Sequence, residues 1–556
     1  MTTRCRIVLL SAVLIIPLLA AAQPVVQIEP DSTYQTIWGL GGAICFNENS
    51  LARLPESDYQ QLITYLFDDL RVSLVRIRIR NEIERVNDNG DPNDLNMAGL
   101  QALPDTSAMR IIRSGRSRGH TVNIIATPWS PPAWMKTNNL PNGGHLTPGM
   151  ETELAEWIYA FFTIWRDQYG MPIQAVSIQN EPTYAADYES CLFTPGELNR
   201  AIRIVIPYLH DHGFASLKHV APDDDNMGHS LAFVDSLVAP DVRPLVDGFA
   251  FHSYGTPFDN PSAALDGLRQ IRQRCAAANL PASLTEYGNL ANTGVGTLAE
   301  GLWEASHWLL ALTEANSETY LSWQLAAAAR TVQGSAILTY NSATSLFMVR
   351  KKFFCVKQIS RFVEPGMRRV KVSGLPGSMI GAAFRDSTHQ HGAAVMINPT
   401  ANPISLQLQW NGCDSMAVWR TTRDEDCAFA GSIISDSGSF AIALPDSSVV
   451  TLVPSFAPSS AINVPHREIS QGYTLSASPN PFNPTTTIRY DVTTTGLVSL
   501  TVFDVLGRRL TTLFTGLVPA GSYSIDWNAA DLPSGVYFCR MEAGGGTLMQ
   551  KMVLLK

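Results

Sequence analysis

Eight β-rich runs alternating with helical stretches predict a (β/α)₈ TIM barrel, joined to a side β-sandwich and a small C-terminal β-sandwich. Three observations carry this reading. Strand-like and helix-like segments alternate from about residue 37 to 325. After about residue 350 the helical period gives way to short alternating strands. Beyond a Pro/Ser-rich stretch, "PSFAPSSAINVP" (454–465), a further turn-rich β segment runs to the last residue.

The strand runs are "TIWGLGGA" (36–43), "SLVRIRI" (73–79), "TVNIIATPW" (121–129), "QAVSIQNE" (174–181), "KHVAPDDD" (218–225), "VDGFAFHSY" (246–254), "ASLTEYG" (282–288) and "TYLSWQL" (319–325). Between them, 151–169, 195–212 and 297–315 carry apolar residues at helical spacing, for example Leu154, Trp157, Ile158 and Phe161. A doubly wound sheet is the rival fold. It calls for a Gly-rich phosphate turn opening a helix, and "GLGGA" has neither that helix nor an acidic ribose partner.

At 556 residues the chain exceeds one compact core, and its formal charge of -9 gives no basic footprint for nucleic acid. Arg4 and Arg6, an apolar run from Ile7 to Ala20 and small residues up to Ala22 read as a secretory signal over 1–22. The run is too short to span a bilayer, so the expected product is exported and not an integral membrane protein. Cys5 leaves with the signal and seven of the eight cysteines remain. Cys413 and Cys427 are placed either to bridge neighbouring strands or to stay as buried thiols.

Barrel chemistry sits at the C-terminal ends of the strands. Those ends carry Arg76 and Arg78, Trp129, Asn180 and Glu181, His252 and Tyr254, Glu286, and Trp323. Two carboxylates on different strands, a cation and aromatic walls suit glycoside hydrolysis, where one acid gives a proton and the other stays ionised. No metal set, Ser/His/Asp order or cysteine nucleophile appears, and no cofactor is implied. Each residue alone has a structural reading, as a salt bridge, a core histidine or a barrel lid; the combination favours function.

"GLGGA" (39–43), "VRIRI" (75–79), "ATPWSPPAWMKTN" (126–138), "SIQNEP" (177–182), "HSYG" (252–255), "LTEYG" (284–288) and "SWQL" (322–325) resemble glycoside hydrolase family 30 in order and spacing. The resemblance spans about residues 24 to 455. It implies a retaining hydrolase with Glu181 as acid/base and Glu286 as nucleophile. It further implies Asn180 at the sugar 2-hydroxyl, Arg76 against the nucleophile, and Trp129, His252, Tyr254 and Trp323 around the glycone. "NEPTYAADYESCLFTPGEL" (180–198) looks most like the bacterial xylanase branch, whose members often grip a glucuronate with arginine. Here "SWQLAAAARTVQGSAILTY" has alanines at those positions and Arg330 several residues late, so the expected substrate is β-1,4-xylan without strict glucuronate dependence. Family specificities for β-1,6-glucan, β-1,6-galactan or glucosylceramide remain alternatives, as does a non-catalytic polysaccharide-binding surface protein.

The segments "SPNPFNPTTTIRYDV" (478–492), "VFDVLGRRL" (502–510) and "GSYSIDWNAADLPSGVYFCRM" (521–541) resemble the sorting domain of type IX secretion. This implies secretion machinery as a partner and a secreted or cell-surface location. A generic immunoglobulin-like spacer, or a carbohydrate-binding module with Trp527 on its face, is the alternative. The expected organisation is signal 1–22, first sandwich strand 23–36, barrel 37–349, side sandwich 350–455, linker 456–472 and sorting domain 473–556.

Overall fold

The computed structural model describes residues 23–84, 86–87, 89, 91, 106–435, 438–456 and 473–556, apart from 85, 494–495, 505–508 and 544–545. The signal segment and most of the linker lie outside these residues. The chain divides into two units, Met1–Ala457 and Pro458–Lys556.

In the first unit eight parallel strands close a barrel: β2 (Gly39–Ala43), β3 (Leu74–Ile79), β4 (Asn123–Pro128), β5 (Ala175–Val176), β6 (Lys218–Asp224), β7 (Gly248–His252), β8 (Ala282–Tyr287) and β9 (Ser317–Ser322). Helices cover the outside. The helix Pro195–Leu209 shows why such segments start where they do. Thr194 Oγ1 accepts from the Glu197 amide, the Glu197 carboxylate accepts from the Thr194 amide, and proline opens the first turn.

β5 keeps a regular ladder over only two residues, although the sequence reads as a strand to Glu181. The chain beyond it stays tied to both neighbours. The Ser177 amide donates to Ala126, Asn180 to Pro128 and Glu181 to Asp223, at 2.9–3.1 Å. At the other end, Lys351–Ser360 forms a helix packed on the helix Leu298–Glu314. Buried ion pairs, Arg350–Glu300 at 2.6 Å and Lys352–Glu304 at 3.2 Å, fasten the two. This short helix completes the eighth β/α repeat, so barrel architecture extends past the expected boundary at residue 349.

The side domain is a single hydrogen-bonded sheet of nine strands. Its strand β1 (Val25–Thr36) lies between Arg368–Ser373, antiparallel, and Ile404–Trp410, parallel. The sheet folds over its own core: Trp410 and Phe456, from strands far apart in the order, meet at 5.7 Å. Cys413 and Cys427 are buried free thiols, as are the other cysteines among the described residues.

The second unit has two antiparallel sheets around a core of Phe482, Ile488, Leu500 and Trp527. Trp527 is buried against Phe482 and Tyr537 at 5.4 and 5.6 Å, so it offers no exposed sugar platform there. Among the described residues no helix is long and apolar enough to cross a membrane.

Candidate active site

The barrel interior changes character within two residues. Leu74, Ile125, Ala250 and Leu321 form an apolar layer with Ala175 and Val220. Side chains on a strand alternate, so the next inward positions are Arg76, Thr127, His252 and Trp323. A dry plug thus supports a polar layer at the C-terminal end.

Arg76 is the hub of that layer and is fully buried. Its Nη2 donates to Asn180 Oδ1 and to Asp223 Oδ2, both at 2.8 Å. Its Nη1 donates to Glu286 Oε2, and the Tyr254 hydroxyl donates to Glu286 Oε1 at 2.9 Å. Among the described residues the side-chain hydrogen bond of Asn180 is the one that its Oδ1 accepts from Arg76.

Asp223 is the residue that strand alternation conceals. Following Val220, the inward position would be Pro222. A register shift between Pro222 and Asp224, with Asp223 at φ 67°, turns the Asp223 carboxylate inward instead. There it accepts from Arg76, from the Thr285 hydroxyl and from His252 Nε2 at 3.2 Å. Burial alone would raise its pKa, but Arg76 and His252 hold it well below the carboxylate range.

His252 does not line the cleft as expected of a glycone residue. It is fully buried beneath it, donating from Nδ1 to Glu181 Oε1 and from Nε2 to Asp223 Oδ1, each at 3.2 Å. Burial would push the imidazole down; the charge of Glu286 and the bonds to Asp223 and Glu181 reverse this and raise it to about 10. The folded ring therefore keeps its proton where the unfolded one, near 6.5, releases it. The contribution to stability is complete below that unfolded value and is lost as pH rises toward 10. Urea unfolding across this window should show the decline, and His252→Gln should flatten it. An unchanged slope in the variant would exclude His252 as its source.

Glu181 and Glu286 bring carboxylate oxygens within 4.8 Å of one another and of a His252 nitrogen. Burial pushes Glu286 up, against the pull of His252 and Arg76, and the nearby charge of Glu181 adds to the rise. Glu181 itself has φ 48°, a left-handed backbone that non-glycine residues adopt rarely. Above the pair opens a cleft of about 620 Å³, lined by Trp129, Trp323, Tyr254 and both glutamates. Tyr184, Tyr188, Asp225, Leu290, Phe46 and Gln324, none of them singled out by the strand-end reading, complete its wall. They sit on loops, where no periodicity distinguishes a wall residue from a core one. Among the described residues no lysine or arginine lines the cleft, and Arg330 is exposed outside it.

Fold and site together have the form of a paired-carboxylate barrel hydrolase. Residues 40–272 match the model of the glycosyl hydrolase family 30 TIM-barrel domain, and 476–555 match the secretion system C-terminal sorting domain. The chain thus carries a family 30 glycoside hydrolase barrel, and its tail marks it for export by the type IX route. It is 23% identical over 419 residues to putative glucosylceramidase 2 of Caenorhabditis elegans, covering 68% of this chain and 77% of that one. It is 22% identical over 340 residues to the glucuronoxylanase XynC of Bacillus subtilis strain 168, covering 60% and 74%. The catalytic domain of a family 30 xylanase from Talaromyces cellulolyticus superposes with a TM-score of 0.66 at 21% identity, over 78% of this chain and all of that one.

Proposed function

We propose that the chain is a secreted retaining endo-β-1,4-xylanase working by double displacement, with Glu286 as nucleophile and Glu181 as acid/base. The observation that carries the mechanism is the approach of the two carboxylates within 4.8 Å, in unlike settings. Carboxyl groups about 5 Å apart suit retention, whereas inversion needs roughly 6.5–9.5 Å to admit a water. Glu286 accepts from a guanidinium and a phenol, which favours its ionised form. With Arg76 and His252 positive, and Asp223 and Glu286 negative, a protonated Glu181 leaves the buried cluster neutral. That proton goes to the leaving oxygen as Glu286 attacks the anomeric carbon. His252 then steadies the Glu181 carboxylate, which takes a proton from water in the second step. The Nδ2 of Asn180 is the donor for the 2-hydroxyl, whose hydrogen bond strengthens toward the transition state.

The xylan assignment rests on the likeness to named xylanases and on a cleft of aromatic rings and carboxylates. A uronate side group would find no guanidinium there to pair with. Activity on unsubstituted xylan and arabinoxylan is therefore expected to match that on glucuronoxylan within about tenfold, an energy of ~1.4 kcal/mol. A product panel that includes β-1,6-glucan and β-1,6-galactan checks this. Turnover confined to a β-1,6 polymer would sink the substrate claim, and xylan binding without hydrolysis at any pH would sink the enzymatic one.

A further inference from the structure

We propose that Phe46 sets the sugar selectivity of the glycone position, acting as an apolar wall that admits a pentopyranose and disfavours a hexopyranose. The inference rests on the double-displacement reading, because it uses the sugar orientation which that reading fixes.

Phe46 follows β2 and is unusual in three independent respects. Its backbone is left-handed at φ 64°, a conformation that a bulky residue adopts only where the surroundings impose it. The residue is nonetheless 43% exposed, so burial is not what holds it there. Instead the Arg78 guanidinium stacks on the ring at 3.9 Å, and Arg78 is itself paired with Glu48 at 3.1 Å and Glu189 at 3.3 Å. A charged clamp thus presents an apolar ring to the cleft. The ring stands edge-on to Trp129 at 5.6 Å, Trp323 at 6.0 Å and Tyr188 at 6.4 Å.

Barrel topology says which part of the sugar meets this wall. Asn180, the partner proposed for the 2-hydroxyl, follows β5. In a six-membered ring C5 lies across from C2. Around an eight-stranded barrel β9 lies across from β5, and β2 pairs with β9. C5 is therefore directed toward Trp323 and Phe46. A xylose has only hydrogens on C5, and these rest against the rings with nothing left unpaired. A glucose carries a hydroxymethyl there, whose hydroxyl would be desolvated against a phenyl ring that offers no hydrogen bond, while the Gln324 amide beside it is already bonded to Asn47 and to the Cys45 carbonyl. Sites that leave a buried polar group unpaired discriminate more strongly than sites that merely lack room for a methylene.

The test compares kcat/KM for 4-nitrophenyl β-xylobioside and β-cellobioside in the full chain and in Phe46→Asn and Phe46→Gly. Both replacements suit a left-handed backbone, so the melting temperature is expected to stay level or rise. The xylo-to-gluco ratio is expected to fall about tenfold or more, while Phe46→Leu, which restores an apolar wall, keeps most of it. Wild-type preference for the xyloside that persists in folded Phe46→Asn and Phe46→Gly overturns the assignment of Phe46 and leaves the xylanase reading standing. A wild type that cleaves the glucoside as readily as the xyloside overturns both.

Discussion

Replacing Glu286 by alanine is expected to lower kcat on xylan by on the order of 10⁶-fold, the scale seen when a covalent nucleophile is removed. Glu181→Ala should cost less, about 10²–10⁴-fold, because it removes only proton transfer. The difference follows from what each carboxylate meets. Glu286 is held by hydrogen bonds from Arg76 and Tyr254, and in the proposed mechanism it forms the bond to C1. Among the described residues the Glu181 carboxylate meets His252 at 3.2 Å and the Tyr188 hydroxyl at 3.5 Å, and in the proposed mechanism it carries the proton. Azide separates the roles. In Glu181→Ala it should intercept the glycosyl-enzyme and release the β-glycosyl azide. In Glu286→Ala it should enter the vacated space directly and give the α product. The same anomer from both variants would show the roles to be misassigned.

The second large effect concerns Asp223. Asp223→Asn is expected to destabilise the first unit by about 3–5 kcal/mol, the usual consequence of removing one partner from a buried ion pair. Arg76 and His252 would then face each other's charge with one carboxylate fewer between them. The variant should unfold at lower urea concentration, and its activity should fall even where it is fully folded, because Arg76 no longer has a fixed place from which to orient Glu286. A variant as stable as the wild type would show that the cluster does not depend on this charge. Asp223→Glu, which keeps the charge but lengthens the side chain, should recover stability before it recovers activity.

The barrel was legible because its strands are apolar runs ending in polar residues, and its helices carry a clear 3.6-residue period. The strand-end rule also led to Arg76, Asn180, Glu181 and Glu286, which the structure draws into one cluster. It could not lead to Asp223, since a bulge reverses the alternation on which the rule depends. It placed His252 at the cleft, whereas two carboxylates and complete burial draw that ring beneath it. Phe46 was hidden for another reason: an aromatic residue just past a strand reads as core, and only its exposure and its Arg78 clamp distinguish it. The helix Lys351–Ser360 is ten residues long and continues into β structure, so its period is brief against the surrounding strands.

The position of β1 has a bearing on how the protein comes into being. This strand is made first, yet both of its sheet neighbours lie more than 300 residues further along the chain. The first unit therefore cannot complete its side sheet until the strand Ser448–Phe456 has been synthesised. Contacts of such long sequence separation form slowly, because loop closure precedes any gain from pairing. The sheet is thus completed only after all eight barrel strands, the last of which ends at Ser322, have been made.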